Sequence, residues 1–227
     1  MTGAGPSGPV LPGPRHPVAG VLFCDRWTMP SFLHVGCGPK RKAQTTRGFN
    51  TDAWQEIRFD IDASVEPDVA GTMTDMSAVP TGSVGAIFSS HNIEHLYPHE
   101  VPVAFGEFLR VLSDDGFAVI TCPDLQSVAA LVAQDKLLEP AYVSPAGPIA
   151  PLDILYGHRG SMARGNLFMA HHCGYTQKVL TATLQAAGFK SIAAMARPTV
   201  FDLWVLASKA ARSEEDMRTL AQLHFPG

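Results

Sequence analysis

The densest group of chemistry-bearing side chains is Ser89-Ser-His-Asn-Ile-Glu-His95, which puts His91, Asn92, Glu94 and His95 directly after a short apolar run. Histidine changes charge near neutral pH, so such a cluster can move protons or ligate a metal. On a helix, His91 and His95 would share a face, with Glu94 and His99 close by. Pro98 breaks that helix and no acid sits at the spacing of a zincin motif, so no metal is expected. A second group lies far along the chain, in Ile154-Leu-Tyr-Gly-His-Arg-Gly160 and Met169-Ala-His-His-Cys-Gly-Tyr175. Its His158, His171, His172 and Cys173 do not have a recognised zinc spacing. Adjacent His171 and His172 point in different directions in most backbones, so at most one of them takes part in chemistry.

Phe32-Leu-His-Val-Gly-Cys-Gly-Pro39 carries a different signal. An apolar run ends in Gly36-Cys37-Gly38, and glycine lets a ligand approach bare backbone because it tolerates positive φ and has no Cβ. Acids at the end of Glu56-Ile-Arg-Phe-Asp-Ile-Asp62 follow at about the distance where doubly wound folds bring a carboxylate to the hydroxyls of a ribose. Asp60 and Asp62 share a strand face, so either suits, and Asp60 is favoured. In Thr74-Asp75-Met76, Asp75 is placed to accept a hydrogen bond from an exocyclic amine of an adenine, and Met76 to pack on the base.

These residues need elements to hold them. Apolar runs at 31–35, 56–61, 84–89 and 117–122 are too continuous for one-sided sheets and predict a parallel sheet covered on both faces. Residues 101–112 follow helical spacing until Asp115-Gly116. Asp124 is placed to cap a helix reaching Ala133, and Thr176 one whose apolar face is Val179, Leu180, Leu184 and Ala187, closed by Gly188. The runs 191–196 and 202–207 predict an antiparallel pair ending the sheet. Residues 1–28 are Gly- and Pro-rich and predict a disordered tail, with Met29 a possible start. Residues 29–210 form the expected domain, 137–175 an irregular insertion read as a substrate lid, and 211–227 a C-terminal extension.

With 46% hydrophobic residues in 227, a sizeable core is expected. A net charge of −4 argues against a nucleic-acid partner, which needs a clustered basic face. No apolar run is long enough for a bilayer, and no signal-peptide pattern is present. Four scattered cysteines without a Cys-x-x-Cys pair predict neither a disulfide framework nor a zinc ribbon, which fits the cytoplasm. A homodimer is left open.

In order along the chain, Leu33-His-Val-Gly-Cys-Gly-Pro, Phe59-Asp-Ile-Asp, Thr74-Asp-Met, Ser90-His-Asn-Ile-Glu-His-Leu and Arg110-Val-Leu-Ser-Asp-Asp-Gly-Phe-Ala-Val-Ile resemble the class I S-adenosylmethionine-dependent methyltransferases of bacterial small-molecule type. The resemblance spans residues 31–125. It implies an α/β, Rossmann-like, doubly wound sheet of seven strands, mostly parallel with an antiparallel last strand. It implies S-adenosyl-L-methionine as cofactor, with Gly36, Cys37 and Gly38 around the amino-acid moiety and Asp60 and Ile61 at the ribose. Thr74, Asp75 and Met76 would meet the adenine, and Ser90 and His91 would line the cofactor beyond the fourth strand. His34 is counted with them, but it stands where the family usually has an acid, so recognition of the cofactor ammonium is expected to differ. The usual glycine pair before the fifth strand is Asp115-Gly116 here. Lys40–Gln55 is polar and poorly periodic where many members have a regular first helix.

The implied reaction is methyl transfer to the oxygen or nitrogen of a small-molecule acceptor. Its catalytic candidates are His91, His171 and His172, and its acceptor-binding candidates are Tyr156, His158, Arg159, His171 and Tyr175. Two other readings are a non-catalytic Rossmann-like protein that binds the cofactor or a protein partner, and a nicotinamide-dependent oxidoreductase. The latter is disfavoured because Arg41 stands where its third glycine belongs.

Overall fold

The computed structural model describes residues 29–226, so the expected tail at 1–28 lies outside the described residues. The strands are β1 (Ser31–Val35), β2 (Gln55–Asp60), β3 (Val69–Ala70), β4 (Val84–Ser90), β5 (Leu112–Pro123), β6 (Tyr142–Ser144), β7 (Gly147–Ile149), β8 (Ser191–Arg197) and β9 (Asp202–Ser208). The α-helices are α1 (Val101–Val111), α2 (Leu125–Val132), α3 (Pro151–Tyr156), α4 (Arg159–Ala163), α5 (Gln177–Ala187) and α6 (Glu214–His224). Seven strands pair in the order β3-β2-β1-β4-β5-β9-β8, and β6 and β7 form a separate hairpin. In the seven-stranded sheet β9 runs antiparallel to both neighbours and the other pairings are parallel. Strand order reverses between β1 and β4, so a crevice opens beyond their carboxyl ends, where open α/β sheets take ligands.

Alternation along β1 sends Leu33 and Val35 to one face and Phe32 to the other. The first face packs on Ala104, Phe105 and Phe108 of α1 and Leu180 and Leu184 of α5. The caps match the sequence: Asp124 accepts from Gln126 N, Thr176 accepts from Val179 N, and Gly188 ends α5 at φ +120°. Val179, expected in the apolar face of α5, is half exposed, because Leu180, Leu184 and Ala187 are the ones that meet the core.

The opposite face has no first helix. Lys42–Gln44 makes a single 3-10 turn, and Phe49 stacks on Phe32 at 4.3 Å with Trp54 edge-on at 5.4 Å. Helix α6 completes this cover through Met217 and Leu220. Gly48 N donates to Leu223 O at 3.0 Å, and a Cβ on Gly48 would fall 2.6 Å from the His224 ring. Ser213 caps α6 and Glu214, Glu215 and Asp216 favour its positive end. The extension beyond 210 is therefore part of the core.

Residues 137–175, expected to be irregular, hold the β6–β7 hairpin, α3, α4 and a 3-10 turn at Leu167–Met169. Each piece is too short for hydrophobic periodicity to register in the sequence. Among the described residues no helix is long and apolar enough to cross a membrane.

Candidate active site

The chain leaves β1 through Gly36 at φ +60° and Gly38 at φ +50°. A Cβ on Gly36 would lie 1.9 Å from Asn92 Oδ1, whereas at Gly38 nothing lies within 4 Å. Gly36 is thus demanded by packing, and Gly38 leaves backbone open to a ligand. Asn92 ties the two strand ends, its Nδ2 donating to Val35 O at 2.9 Å and to Ser90 O at 3.2 Å. Asp60 Oδ2 accepts from Gly38 N at 2.7 Å and Oδ1 from Asp62 N at 2.9 Å. Arg58, buried in β2, donates to Lys40 O, to Glu66 O at 2.6 Å and to Gly38 O, which braces the turn from behind. Together these surfaces border a cavity of about 630 Å³, closed on one side by Leu167, Phe168 and Met169 of the insertion.

A second cavity of about 480 Å³ lies beside it and shares His91, His95 and Met169 with the first. The 3-10 turn Ile93–His95 carries Glu94 into its wall. Glu94 is 1% exposed, and among the described residues neither carboxylate oxygen has a hydrogen-bond partner. His91 Nδ1 stands 3.4 Å from Glu94 Oε1, an ion-pair separation without hydrogen-bond geometry. Burial pushes the Glu94 carboxyl up, but His91, His95 and His171 outweigh it and hold it below the usual range. Burial pushes the His171 imidazole down, against the pull of Glu94.

His95 Nδ1 is 2.9 Å from Ala170 O, and His171 Nδ1 is 2.8 Å from Ile154 O. A carbonyl only accepts, so each Nδ1–H donates, and each neutral ring carries its lone pair on Nε2. The other acids of this cavity are satisfied. Arg159 holds Asp153 at 2.7 and 3.0 Å, chiefly through these bonds lowering its carboxyl to about 2, and Arg197 holds Asp202.

Gly36, Cys37, Gly38, Asp60, Ile61, Thr74, Ser90 and His91 all line the first cavity. His34, Asp75 and Met76, expected at the cofactor, lie outside that lining. His34 faces the opposite side of β1, 2.6 Å from Glu56 Oε1, while Glu56 Oε2 accepts from Lys42 N at 2.8 Å. The pair anchors the 3-10 turn at Lys42–Gln44. Asp75 is exposed and accepts from Ser77 N at 3.0 Å, and the bonds from Ser77 lower its carboxyl. Met76 is fully buried in the core. The wall at this edge is Thr72, Met73 and Thr74. The Cys37 thiol is pushed up to about 11, mainly by burial, so it is no nucleophile.

Of the acceptor-binding candidates, His158 and His171 line the second cavity. Tyr156 is exposed outside it, Arg159 is engaged by Asp153, and Tyr175 is core, its hydroxyl 3.4 Å from Cys173 Sγ. Burial first, then Cys173, push the Tyr175 hydroxyl well up. His171 and His172 do diverge: His172 stacks on Tyr97 at 4.1 Å and lines the first cavity. Sequence reasoning missed Thr72, Met73, Phe168 and Met169, whose apolar or small side chains carry no chemical signature.

Residues 33–120 match the model of the methyltransferase domain family. The match covers less than half of the chain; together with the seven-stranded sheet it makes the chain similar to the class I S-adenosylmethionine-dependent methyltransferases. Similar solved structures include a methyltransferase from Thermotoga maritima described as a possible histamine N-methyltransferase, at 12% identity and TM-score 0.50, covering 82% of this chain and 84% of that one. A methyltransferase from Methanosarcina mazei is similar at 14% identity and TM-score 0.52, over 82% and 95%. One from Archaeoglobus fulgidus is similar at 14% identity and TM-score 0.50, over 79% and 86%. At such identities the likeness is one of fold. None of the curated proteins compared matches the sequence.

Proposed function

We propose that the protein transfers the methyl group of S-adenosylmethionine to an oxygen or nitrogen of a small molecule seated in the second cavity. The observation that carries this is the shared wall: His91, His95 and Met169 border both cavities, so cofactor and acceptor meet across them. Gly38 and Asp60 would hold the cofactor's amino-acid and ribose ends. Transfer is an in-line displacement: the acceptor lone pair forms the new bond to the methyl carbon, and the C–S electron pair stays on sulfur as the neutral thioether. Such a reaction needs chiefly proximity and orientation.

His91 is the general base in this reading. It sits at φ +56° directly beyond β4, half exposed at the boundary, with buried Glu94 beside Nδ1 to stabilise the imidazolium formed when it takes the acceptor proton. The buried free thiols Cys37 and Cys122 fit a reducing compartment, the cytoplasm.

Calorimetric titration with S-adenosylmethionine, S-adenosylhomocysteine and NAD tests the reading: the sulfur nucleotides should bind and NAD should not. Failure of both sulfur nucleotides would overturn it. A screen of small hydroxyl and amine acceptors, read as S-adenosylhomocysteine formed, should then find a substrate. His91→Asn, a residue that tolerates the left-handed backbone, should cut turnover about 10²- to 10⁴-fold while sparing cofactor affinity.

A further inference from the structure

Glu94, His95 and His171 each offer a ligating atom within 4.8 Å of the others. The carboxylate is buried and without a hydrogen bond, and the two imidazoles have committed their Nδ1–H groups to Ala170 O and Ile154 O. The groups that remain, a carboxylate and two Nε2 lone pairs, are all acceptors. The carboxylate has no hydrogen-bond donor among the described residues, only His91 Nδ1 at 3.4 Å from Oε1, and a cation held between it and the two rings would offset its buried charge. Asp153 and Asp202 in the same wall have arginine partners, which Glu94 lacks.

We propose that Glu94, His95 and His171 bind one divalent transition-metal ion, with its open coordination positions facing the second cavity. Two imidazoles and one carboxylate make up the protein ligands of many catalytic zinc sites, and of non-haem iron sites as well. Imidazole donors select such ions over magnesium or calcium. Backbone carbonyls that hold the remote ring nitrogens are the usual outer-shell support of a metal-bound histidine. Bonds of about 2.0–2.1 Å place ligand atoms roughly 3.4 Å apart, a closure that side-chain rotations supply. No sequence spacing reports the site, because His171 arrives from the insertion. An ion there would take a hydroxyl, carboxyl or amine of the acceptor as a further ligand. That last use rests on the proposed function, whereas the ion site does not.

The test is titration of the chelator-treated full chain with Co²⁺ alone, followed by visible d–d absorption and displacement by Zn²⁺. One equivalent should bind, Zn²⁺ should raise Tm, and Glu94→Gln and His171→Ala should each weaken binding at least about 100-fold. Glu94→Gln keeps the buried volume and adds an amide donor toward the two imidazoles, so its metal-free Tm should equal or exceed that of the wild type. Circular dichroism shows whether each variant is folded, and His171→Ala keeps the test decisive should the other fail. Absence of Co²⁺ absorption in the wild type, or unchanged binding in folded variants, would overturn the site. Cofactor titration of the same metal-free protein is the separate check: its failure would strike the methyltransferase reading and leave the Co²⁺ result standing.

Discussion

The two cavities share a wall but are built differently. The first lies at the carboxyl ends of β1, β2 and β4, where Gly38 leaves backbone open and Asp60 fastens the turn. The second is made of side chains from three distant segments, with Glu94 and His95 after β4, His171 from the insertion and Asp202 from β9. A cavity that presents backbone to its ligand is set by local conformation. One that presents titratable groups depends on how remote segments pack. Binding and chemistry should therefore respond separately to substitution.

The largest effect is expected at Gly36→Val. A β-branched residue at φ +60° is strained, and its Cβ would overlap Asn92, so unfolding in urea should show a loss of about 3–5 kcal/mol. A folded Gly36→Val variant that merely fails to bind cofactor would break the assignment of Gly36 to packing.

Next comes the far face of the sheet, which supports β1 through Phe49 and α6. Burial lowers His224 from an ordinary 6.5 to about 4. The unfolded chain thus takes up a proton that the folded chain refuses, and stability falls as pH drops from 6.5 to 4, by roughly 3 kcal/mol over the window. Urea midpoints across this range should slope less steeply in His224→Gln than in the wild type, and equal slopes would refute the assignment.

Gly38→Ala separates binding from folding. With open space around its Cβ, it should cost about 1 kcal/mol of stability for the left-handed backbone, yet weaken S-adenosylmethionine about 100-fold in calorimetry. Smallest is Asp75→Ala, which removes a turn bond to Ser77 and should lower Tm by about 1–2 °C with cofactor affinity unchanged. A loss of affinity there would return Asp75 to the first cavity.

Most of the first cavity was legible because its signals are local. The Gly36-Cys37-Gly38 turn follows an apolar strand, Asp60 ends the next one, and the caps Asp124 and Thr176 act within three residues of themselves. His34 and Met76 show where this reading runs out. Position in a motif does not say to which side of a strand or loop a side chain turns, and both turned away from the ligand edge. Tyr175 and Arg159 misled for a related reason, since a polar type in a loop is equally suited to a core hydroxyl or a partnered ion.

By itself, the sequence determined the sheet strands other than the two-residue β3, the caps Asp124, Thr176 and Gly188, and the glycine turn with its acid, all features governed by neighbours a few residues apart. Only the tertiary structure decided that α6 would stand in for a first helix, through Phe49, Gly48 and His224. It also decided that His171 would meet Glu94 and His95. These contacts join residues dozens of positions apart, and their geometry follows from burial of apolar faces, which no spacing in the chain encodes.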